Sequence, residues 1–271
     1  MKELGHLDVA QLLQQTEKGL PSRVASIIRK HDVPAPAHLL LSALQCKQAI
    51  TTNYDTLYEL ACRAVARSGE SDDKVVAVLP TSYPGPDQRW LLKMHGSVDE
   101  PASIVLTRAD FAGYDGASRP AGAVLQAVLL TTHLLVVGTS MTDDNVLRLV
   151  HEVVQYRKRS KKKGGQDAPL GTVLDVSGST LRRRLYEGMF RWCALPGASV
   201  FERALNLEVF LDCVAMYASD NLTWLLDVRF ADLLDEETSA LAEDLRSLVA
   251  RMPSTGEWAE VRAALQAYGA A

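Results

Sequence analysis

Short apolar runs and amphipathic segments alternate along most of the chain. The apolar runs are typical of strands: QAITT, KVVAVLP, WLLKMHG, SIVLT, HLLVVGTS and GTVLDVS, beginning at residues 48, 74, 90, 103, 133 and 171. Between them, DTLYELACRAVAR, AGAVLQAVLLTT and residues 142–159 carry apolar side chains at helical spacing. Continuous apolar strands that alternate with helices predict an α/β domain, in which a parallel sheet is covered by helices on both faces.

The pattern changes after about residue 197. FERALNLEVFLDCVAMYA and the segments from Glu236 onward have helical spacing, and none of them alternates as a strand does. We therefore predict an α/β domain at residues 1–197 and a helical C-terminal region at residues 198–271. Those helices could pack on the sheet, mediate self-association or bind a partner protein, and the pattern does not choose among these.

Composition excludes several classes of protein. The 271 residues carry a net charge of −4, so bulk charge does not favour nucleic-acid binding. The four cysteines are widely scattered, and no pair has the spacing of a zinc site or a disulfide framework. Scattered cysteines fit a reducing compartment, and no apolar run is long enough to cross a bilayer. We expect a cytoplasmic protein with no membrane segment and no zinc.

Polar side chains follow three of the predicted strands. The carboxyl ends of parallel strands meet at one edge of a sheet, where α/β proteins bind their ligands. We therefore expect these residues to share one cleft. The first strand is followed by Thr52, Asn53 and Asp55, the second by His95 and Gly96, and the third by Gly138, Thr139, Ser140 and Asp143.

Each of these motifs also has a purely structural interpretation. Asn53 and Asp55 could cap the next helix, as asparagine and aspartate often do. His95 and Gly96 could be an ordinary strand exit, and Gly138 could mark a tight turn. The functional interpretation depends on all three motifs falling at the same edge.

Taken together, TTNYD, LLKMHGS with IVLTRADF, and LLVVGTSMTDDN resemble the core motifs of the sirtuin-like superfamily. The resemblance covers about residues 30–190 and is strongest to the bacterial branch that lacks the zinc module, since residues 97–134 contain no cysteine. It implies a Rossmann-like fold that takes NAD as its substrate. It also implies an NAD glycohydrolase, which releases nicotinamide and ADP-ribose, often in antiphage defence. An NAD-dependent protein deacylase is the alternative reaction, without the metal scaffold that usually shapes the acyl-lysine groove.

The resemblance also implies roles for the strand-end residues. Asn53 would orient a water or a ribose hydroxyl, Asp55 would hold the amide and the nicotinamide pocket, and His95 would be the general base. Leaving nicotinamide gives the ribose oxocarbenium character, which nearby oxygens stabilise. The residues expected to bind the nucleotide are Thr52, Gly138, Thr139, Ser140, Asp143 and, on the adenosine half, Asp175.

One part of the family pattern has no match. Sirtuin-like domains begin with a strand and a glycine-rich GAGxS turn that holds the pyrophosphate, and no GxG precedes Asn53. The first, usually central, strand of the sheet is therefore expected to be missing, either through truncation or in a natural remnant. We expect weak NAD binding. The alternative function is a catalytically impaired relative that acts as a nucleotide sensor or an assembly subunit.

Overall fold

The computed structural model describes residues 4–44, 46–66, 75–159, 168–218 and 224–270, without the side chains at positions 115 and 117. The chain divides into two compact units, Met1–Ala215 and Met216–Ala271. The first unit contains all the strands of the described residues, and the second contains helices. None of the described helices has the length and apolar character that a membrane span requires.

The first unit opens with three helices, followed by a parallel half-sheet that contains a fourth helix between its first two strands. The helices are α1 (His6–Thr16), α2 (Leu20–Ile28), α3 (Pro36–Ala43) and α4 (Leu57–Val65). Its strands are β1 (Gln48–Thr51), β2 (Ala77–Leu79) and β3 (Trp90–Lys93), in the order β1-β3-β2. All pairs are parallel, with Thr51 opposite Lys93.

A second parallel half-sheet follows a group of helices. The helices are α5 (Arg108–Ala112), α6 (Tyr114–Ala117) and α7 (Arg119–Thr131). The strands are β4 (Leu134–Val137), β5 (Gly171–Asp175) and β6 (Arg191–Ala194), in the order β4-β5-β6. Helices α8 (Asp144–Arg159) and α9 (Thr180–Leu185) connect these strands, and α10 (Val200–Ala218) follows them.

The two half-sheets belong to one core. Leu92 and Met94 of the first half-sheet share a buried cluster with Val136 and Val173 of the second. Burial of such a contiguous apolar cluster is the main source of stability in a domain of this size. The α/β fold class predicted from the alternation of runs is confirmed.

β1 and β4 are each the terminal strand of a half-sheet. Among the described strands, β3 is the neighbour of β1 and β5 is the neighbour of β4, so each of the two has one edge that no described strand pairs. In a doubly wound sheet the point where strand order reverses is the ligand-binding position. We therefore expect a ligand at the unpaired edges of β1 and β4.

Two strand assignments differ from the sequence prediction. The run SIVLT is not a strand: Pro101–Ser103 is a 3-10 turn, and Ile104 is buried against Ala25 and Val98 instead of joining a sheet. Conversely, β6 was not predicted, because RWCA is short and its two terminal residues are exposed. The apolar run SIVLT is thus a loop that packs on the core, and the weakly patterned run RWCA is the terminal strand of the second half-sheet.

The second unit is a small helical cluster. Its elements are the 3-10 segment Val228–Leu233 and the helices α11 (Glu236–Arg251) and α12 (Ala259–Ala267). Leu226, Ala242, Val249 and Ala270 form its buried centre. The domain boundary between residues 197 and 198, which was inferred from the sequence, stays a prediction.

Candidate functional site

The loop after β1 carries the first group of predicted residues. The backbone N–H of Asn53 donates to Thr51 Oγ1 at 3.0 Å, and this contact turns the chain out of the strand. The side chain of Asn53 is exposed and makes no hydrogen bond to another described residue. Its amide is thus available to a ligand, whereas Thr52 beside it is half-buried.

Asp55 caps helix α4. Its Oδ1 accepts the N–H of Leu57 at 3.0 Å, so one carboxylate oxygen does the structural work that the sequence also suggested. The backbone carbonyl of the same residue accepts from the buried ammonium of Lys93. Lys93 in turn pairs with buried Glu59, and sequence patterns gave no signal for this pair.

His95 lies just beyond the end of β3 and is 4% exposed. Its imidazole contacts Phe111 and Tyr114 edge to face, with ring centroids 5.1 and 5.8 Å away. The neighbouring Gly96 has a φ of +86°, and a Cβ there would lie 2.2 Å from the carbonyl oxygen of Ser103. Glycine at position 96 therefore lets the chain pass close to the 3-10 turn and directs His95 inward.

Asp143 is the charged partner of His95. Its Oδ2 lies 3.2 Å from His95 Nε2, while its Oδ1 accepts the N–H of Val146 at the start of α8. Although the distance is short, Nε2 is buried and has no well-aligned hydrogen bond within the protein. His95 Nε2 therefore lies within ion-pair distance of the Asp143 carboxylate, yet it makes no hydrogen bond to another described residue.

Burial and charge act in opposite directions on His95. Burial lowers the pKa of His95 below its usual value of 6.5, and the nearby Asp143 carboxylate raises it but has the smaller effect. The imidazole is accordingly neutral at pH 7, the form that accepts a proton. Burial also raises the pKa of Tyr54, with a further contribution from Asp143, so Tyr54 lies within electrostatic reach of the same carboxylate.

Tyr54 connects the Asn53 loop to the histidine segment. Its hydroxyl donates to the carbonyl of Val105 at 2.7 Å, and the N–H of Val105 donates to the carbonyl of His95 at 3.0 Å. This chain of contacts joins two motifs that are about forty positions apart in sequence. Tyr54 was not among the residues predicted from the sequence, although it lies inside the TTNYD motif.

The loop after β4 carries the third group of predicted residues. Gly138 has a φ of +68° with open space where a Cβ would be, and Met141 has a φ of +52°. Thr139 Oγ1 accepts the N–H of Met141 at 3.2 Å, and the hydroxyls of Ser140 and Thr142 lie 2.6 Å apart. Gly138, Thr139 and Ser140 are exposed, so their backbone can approach a ligand.

Tyr186 holds the β4–α8 loop through a hydrogen bond to its backbone. Its hydroxyl donates to the carbonyl of Met141 at 2.5 Å, and its ring stacks on Trp192. A non-glycine residue with positive φ costs on the order of 1 kcal/mol and persists where surrounding contacts determine it. The Tyr186 hydroxyl is such a contact for Met141.

Asp175 is placed differently from the other predicted residues. It is buried at the end of β5, and its carboxylate accepts from the N–H and hydroxyl of Ser177, the N–H of Gly178 and the indole of Trp192. These hydrogen bonds occupy the carboxylate within the protein. A role toward the adenosine half of NAD stays a prediction.

Several of the predicted residues are connected by contacts or by a shared loop. His95 and Asp143 are in direct contact, and Asn53 and Asp55 are joined to them through Tyr54. The residues Gly138, Thr139 and Ser140 share the β4–α8 loop with Asp143. In the described part of the chain, no cluster of histidine, cysteine or carboxylate side chains could hold a metal ion.

A cavity of about 390 Å³ lies elsewhere, between α7 and α8. Arg119, Gln126, Arg148 and Glu152 are among its lining residues, and none of the predicted site residues lines it. The candidate site is therefore an open edge of the sheet, not this cavity.

Comparison with known proteins identifies a family model and relatives that match part of the chain. Residues 47–169 match the model of the SIR2-like domain. The chain is 34% identical to the NAD(+) hydrolase ThsA of Enterococcus faecium over 117 residues, which cover 43% of this chain and 24% of the relative. It is 29% identical to the NAD(+) hydrolase ThsA of Bacillus cereus over 167 residues, covering 60% and 34%.

A third relative is the Defense-associated sirtuin 2 of Bacillus subtilis. The identity is 31% over 134 residues, covering 47% of this chain and 13% of the relative. The chain therefore matches between 13% and 34% of the length of these three proteins. The matched segment, residues 47–169, contains Asn53, His95 and the β4–α8 loop, and in this segment the chain is similar to the SIR2-like domain.

Proposed function

We propose that this protein is an NAD glycohydrolase that releases nicotinamide and ADP-ribose. The observation that carries the proposal is the pair of buried His95 and partly exposed Asp143, 3.2 Å apart, at the edge where the Asn53 loop and the β4–α8 loop also lie. A neutral imidazole held between aromatic rings and a carboxylate is suited to general base catalysis. The curated relatives named NAD(+) hydrolase support the same substrate.

The reaction uses these residues in the following way. The bond between C1′ of the ribose and the nicotinamide nitrogen breaks, and the bonding electrons leave with nicotinamide. Oxygen of a water molecule forms the new bond to C1′, and its proton passes to His95 and then to solvent. The exposed Asn53 amide orients the water or a ribose hydroxyl, and the Asp143 carboxylate stabilises the imidazolium that forms.

The β4–α8 loop binds the nucleotide in this proposal. Gly138 lets the backbone come close to the phosphates, and the hydroxyls of Thr139 and Ser140 donate to phosphate or ribose oxygens. Asp55 keeps the Asn53 loop in place through its cap on α4. NAD is the substrate of the reaction, and the proposal needs no metal.

We place the activity in antiphage defence in the cytoplasm. A relative named Defense-associated sirtuin supports this role. Consumption of NAD deprives the infected cell of a cofactor that many reactions share. Self-association, or binding of a partner protein through the C-terminal helices, would couple such an activity to its trigger.

Nicotinamide release from NAD tests the proposal directly. The wild-type chain is incubated with millimolar NAD, and His95→Ala and Asn53→Ala are compared with it. Loss of a general base lowers the rate by roughly 100-fold or more. The matched control is His151→Ala, which removes an exposed histidine of α8 and should leave the rate unchanged. Undiminished release by His95→Ala would contradict the proposed mechanism.

A second candidate function is a catalytically silent nucleotide sensor or assembly subunit. The observation that favours it is the pair of edges at β1 and β4 that no other described strand pairs, near which the nucleotide phosphates would lie. It predicts that NAD or another nucleotide raises the melting temperature of the wild-type chain while no nicotinamide appears. Release of nicotinamide by the wild type, with loss in His95→Ala, decides for the enzyme.

A further inference from the structure

A buried ion pair lies directly beneath the Asn53 loop, and the proposed mechanism does not use it. Lys93 Nζ lies 2.8 Å from Glu59 Oε1, with side-chain exposures of only 1% and 6%. Lys93 belongs to β3 and Glu59 to the first turn of α4. Two charges removed from water in this way carry a desolvation penalty that their attraction often does not exceed. Stability alone is therefore a weak reason for the pair.

The contacts of the ammonium indicate another role. Besides Glu59, Lys93 donates to the backbone carbonyl of Asp55 and makes a long contact of 3.5 Å to the carbonyl of Tyr54. All three acceptors thus come from the short segment that follows β1. An ammonium has three protons, and this segment supplies an acceptor for each of them.

The position of Lys93 on its strand links the two catalytic segments. Thr51 and Lys93 are opposite each other in the parallel pair, and Asn53 and His95 each follow two residues later. The side chain of Lys93 reaches across to the loop that holds Asn53, while its own strand leads to His95. Lys93 is therefore a second connection between the Asn53 loop and His95, besides Tyr54.

We propose that Lys93, held by Glu59, is a positioning residue that fixes the Asn53 loop relative to His95. The inference rests on the proposed function, because the relative placement matters only if both residues act on one substrate. The backbone carbonyl of Asp55 is held by a strong charge-assisted donor, and the carbonyl of Tyr54 beside it accepts the N–H of Val98 at 2.9 Å, so the loop keeps one conformation without ligand. A misplacement of about 1 Å at such a site can lower a rate by roughly 100-fold.

The test separates positioning from simple stabilisation. Lys93→Met leaves Glu59 buried without its partner, so this variant should melt at a lower temperature. The double variant Lys93→Met with Glu59→Leu removes both charges and should regain stability, because apolar replacement of a buried pair is often neutral. The double variant still lacks the ammonium that donates to the carbonyl of Asp55.

Two readouts are measured for each variant: nicotinamide release, and hydrogen exchange of the backbone amides at residues 52–57. We expect kcat of the double variant to stay roughly 10- to 100-fold below wild type, with KM changed far less, and its loop amides to exchange faster. Lys47→Met is the matched control, since it removes an exposed lysine that pairs with Asp87 at 2.6 Å. It should change neither readout.

Recovery of both kcat and loop protection in the double variant would overturn the proposal and leave the pair a structural element only. The exchange readout does not depend on activity. If the wild-type chain releases no nicotinamide, the proposed function fails, and unchanged loop exchange in the double variant would then separately overturn the positioning role. Should Lys93→Met fail to fold, the double variant alone decides.

Discussion

The two half-sheets hold their chemistry in different ways. The half with β1, β3 and β2 places His95 in the core, surrounded by aromatic rings, and ties the Asn53 loop to a buried ammonium. The half with β4, β5 and β6 presents Gly138, Thr139 and Ser140 on an exposed loop. Reacting groups need fixed geometry, whereas a loop that receives a large nucleotide needs access. On the proposed function, the first half-sheet is the catalytic half and the second is the binding half.

The halves are alike in one respect: β1 and β4 each have an edge that no described strand pairs. A doubly wound sheet binds its ligand where the strand order reverses, so we expect the nucleotide near these two edges. A strand and turn at this position would supply backbone N–H groups to the phosphates of a nucleotide. On the proposed function, the described residues supply the reacting groups of the catalytic half but fewer phosphate donors for the binding half.

The largest expected effect follows from that imbalance. We predict that residues 1–271 bind NAD weakly. Two or three absent hydrogen bonds to charged phosphates, at about 1.5–3 kcal/mol each, weaken binding by several powers of ten. Isothermal titration with NAD measures this. A dissociation constant in the micromolar range would contradict the prediction that the binding half has too few donors to the phosphates.

A pair of glycine substitutions, one in each half, tests how tightly the halves are packed. Gly96→Ala places a Cβ 2.2 Å from the backbone oxygen of Ser103, at a φ of +86°. Because backbone cannot easily yield, we expect a loss of about 3 kcal/mol or more in the free energy of unfolding. Gly138→Ala meets no atom within 4 Å and should cost only about 1–2 kcal/mol. Denaturant titration measures both, and equal losses would contradict the comparison.

Two tyrosines offer a finer test, because each hydroxyl holds a loop in a different half. Tyr54 donates to Val105 beside the His95 segment, and Tyr186 donates to Met141 beside Gly138. Burial raises the pKa of both hydroxyls, so they remain donors at neutral pH. Replacement by phenylalanine should lower the free energy of unfolding by about 1 kcal/mol in each case.

The kinetic consequences of the two substitutions should differ. Tyr54→Phe loosens the catalytic half and is expected to lower kcat for nicotinamide release by several-fold, whereas Tyr186→Phe loosens the nucleotide loop and is expected to raise KM. Steady-state kinetics with both variants measures the division. Identical changes in kcat and KM would mean that the halves do not have separate tasks.

Sequence reasoning identified the edge of the sheet but not its supports. Parallel strands bring their carboxyl ends together, so the alternation of runs was enough to predict that His95 and the residues near Asp143 share one edge. The Lys93–Glu59 pair was invisible, because a lysine late in a strand and a glutamate early in a helix are ordinary surface patterns. Only the tertiary structure shows that both are buried.

The differences in strand assignment have a similar cause. SIVLT has the composition of a strand, yet its Ile104 packs on α2 and its Val105 bonds to His95, so tertiary contacts decide its conformation. β6 is a strand in spite of its weak pattern because it pairs in register with β5. Composition predicts burial better than it predicts pairing.

The smallest expected effect concerns the charge between the halves, where Asp143 of the binding half meets His95 of the catalytic half. Asparagine at position 143 can still cap α8, so Asp143→Asn should fold. Removing the carboxylate removes the influence that raises the pKa of His95, while burial still lowers it. The pKa of His95 should therefore fall further, and the acid limb of the pH profile of kcat/KM should move to lower pH.

Stability should follow the same sign. Because the pKa of His95 is lower in the folded state, the unfolded chain binds the extra proton first, and stability is lost as pH falls below about 6.5. In Asp143→Asn this loss should continue to a lower pH than in the wild type. Tyr54 also faces this region, and because burial raises its pKa it stays neutral over that range. An acid limb that moves to higher pH would show that the carboxylate does not raise the pKa of His95, and the two halves would then be coupled by packing alone.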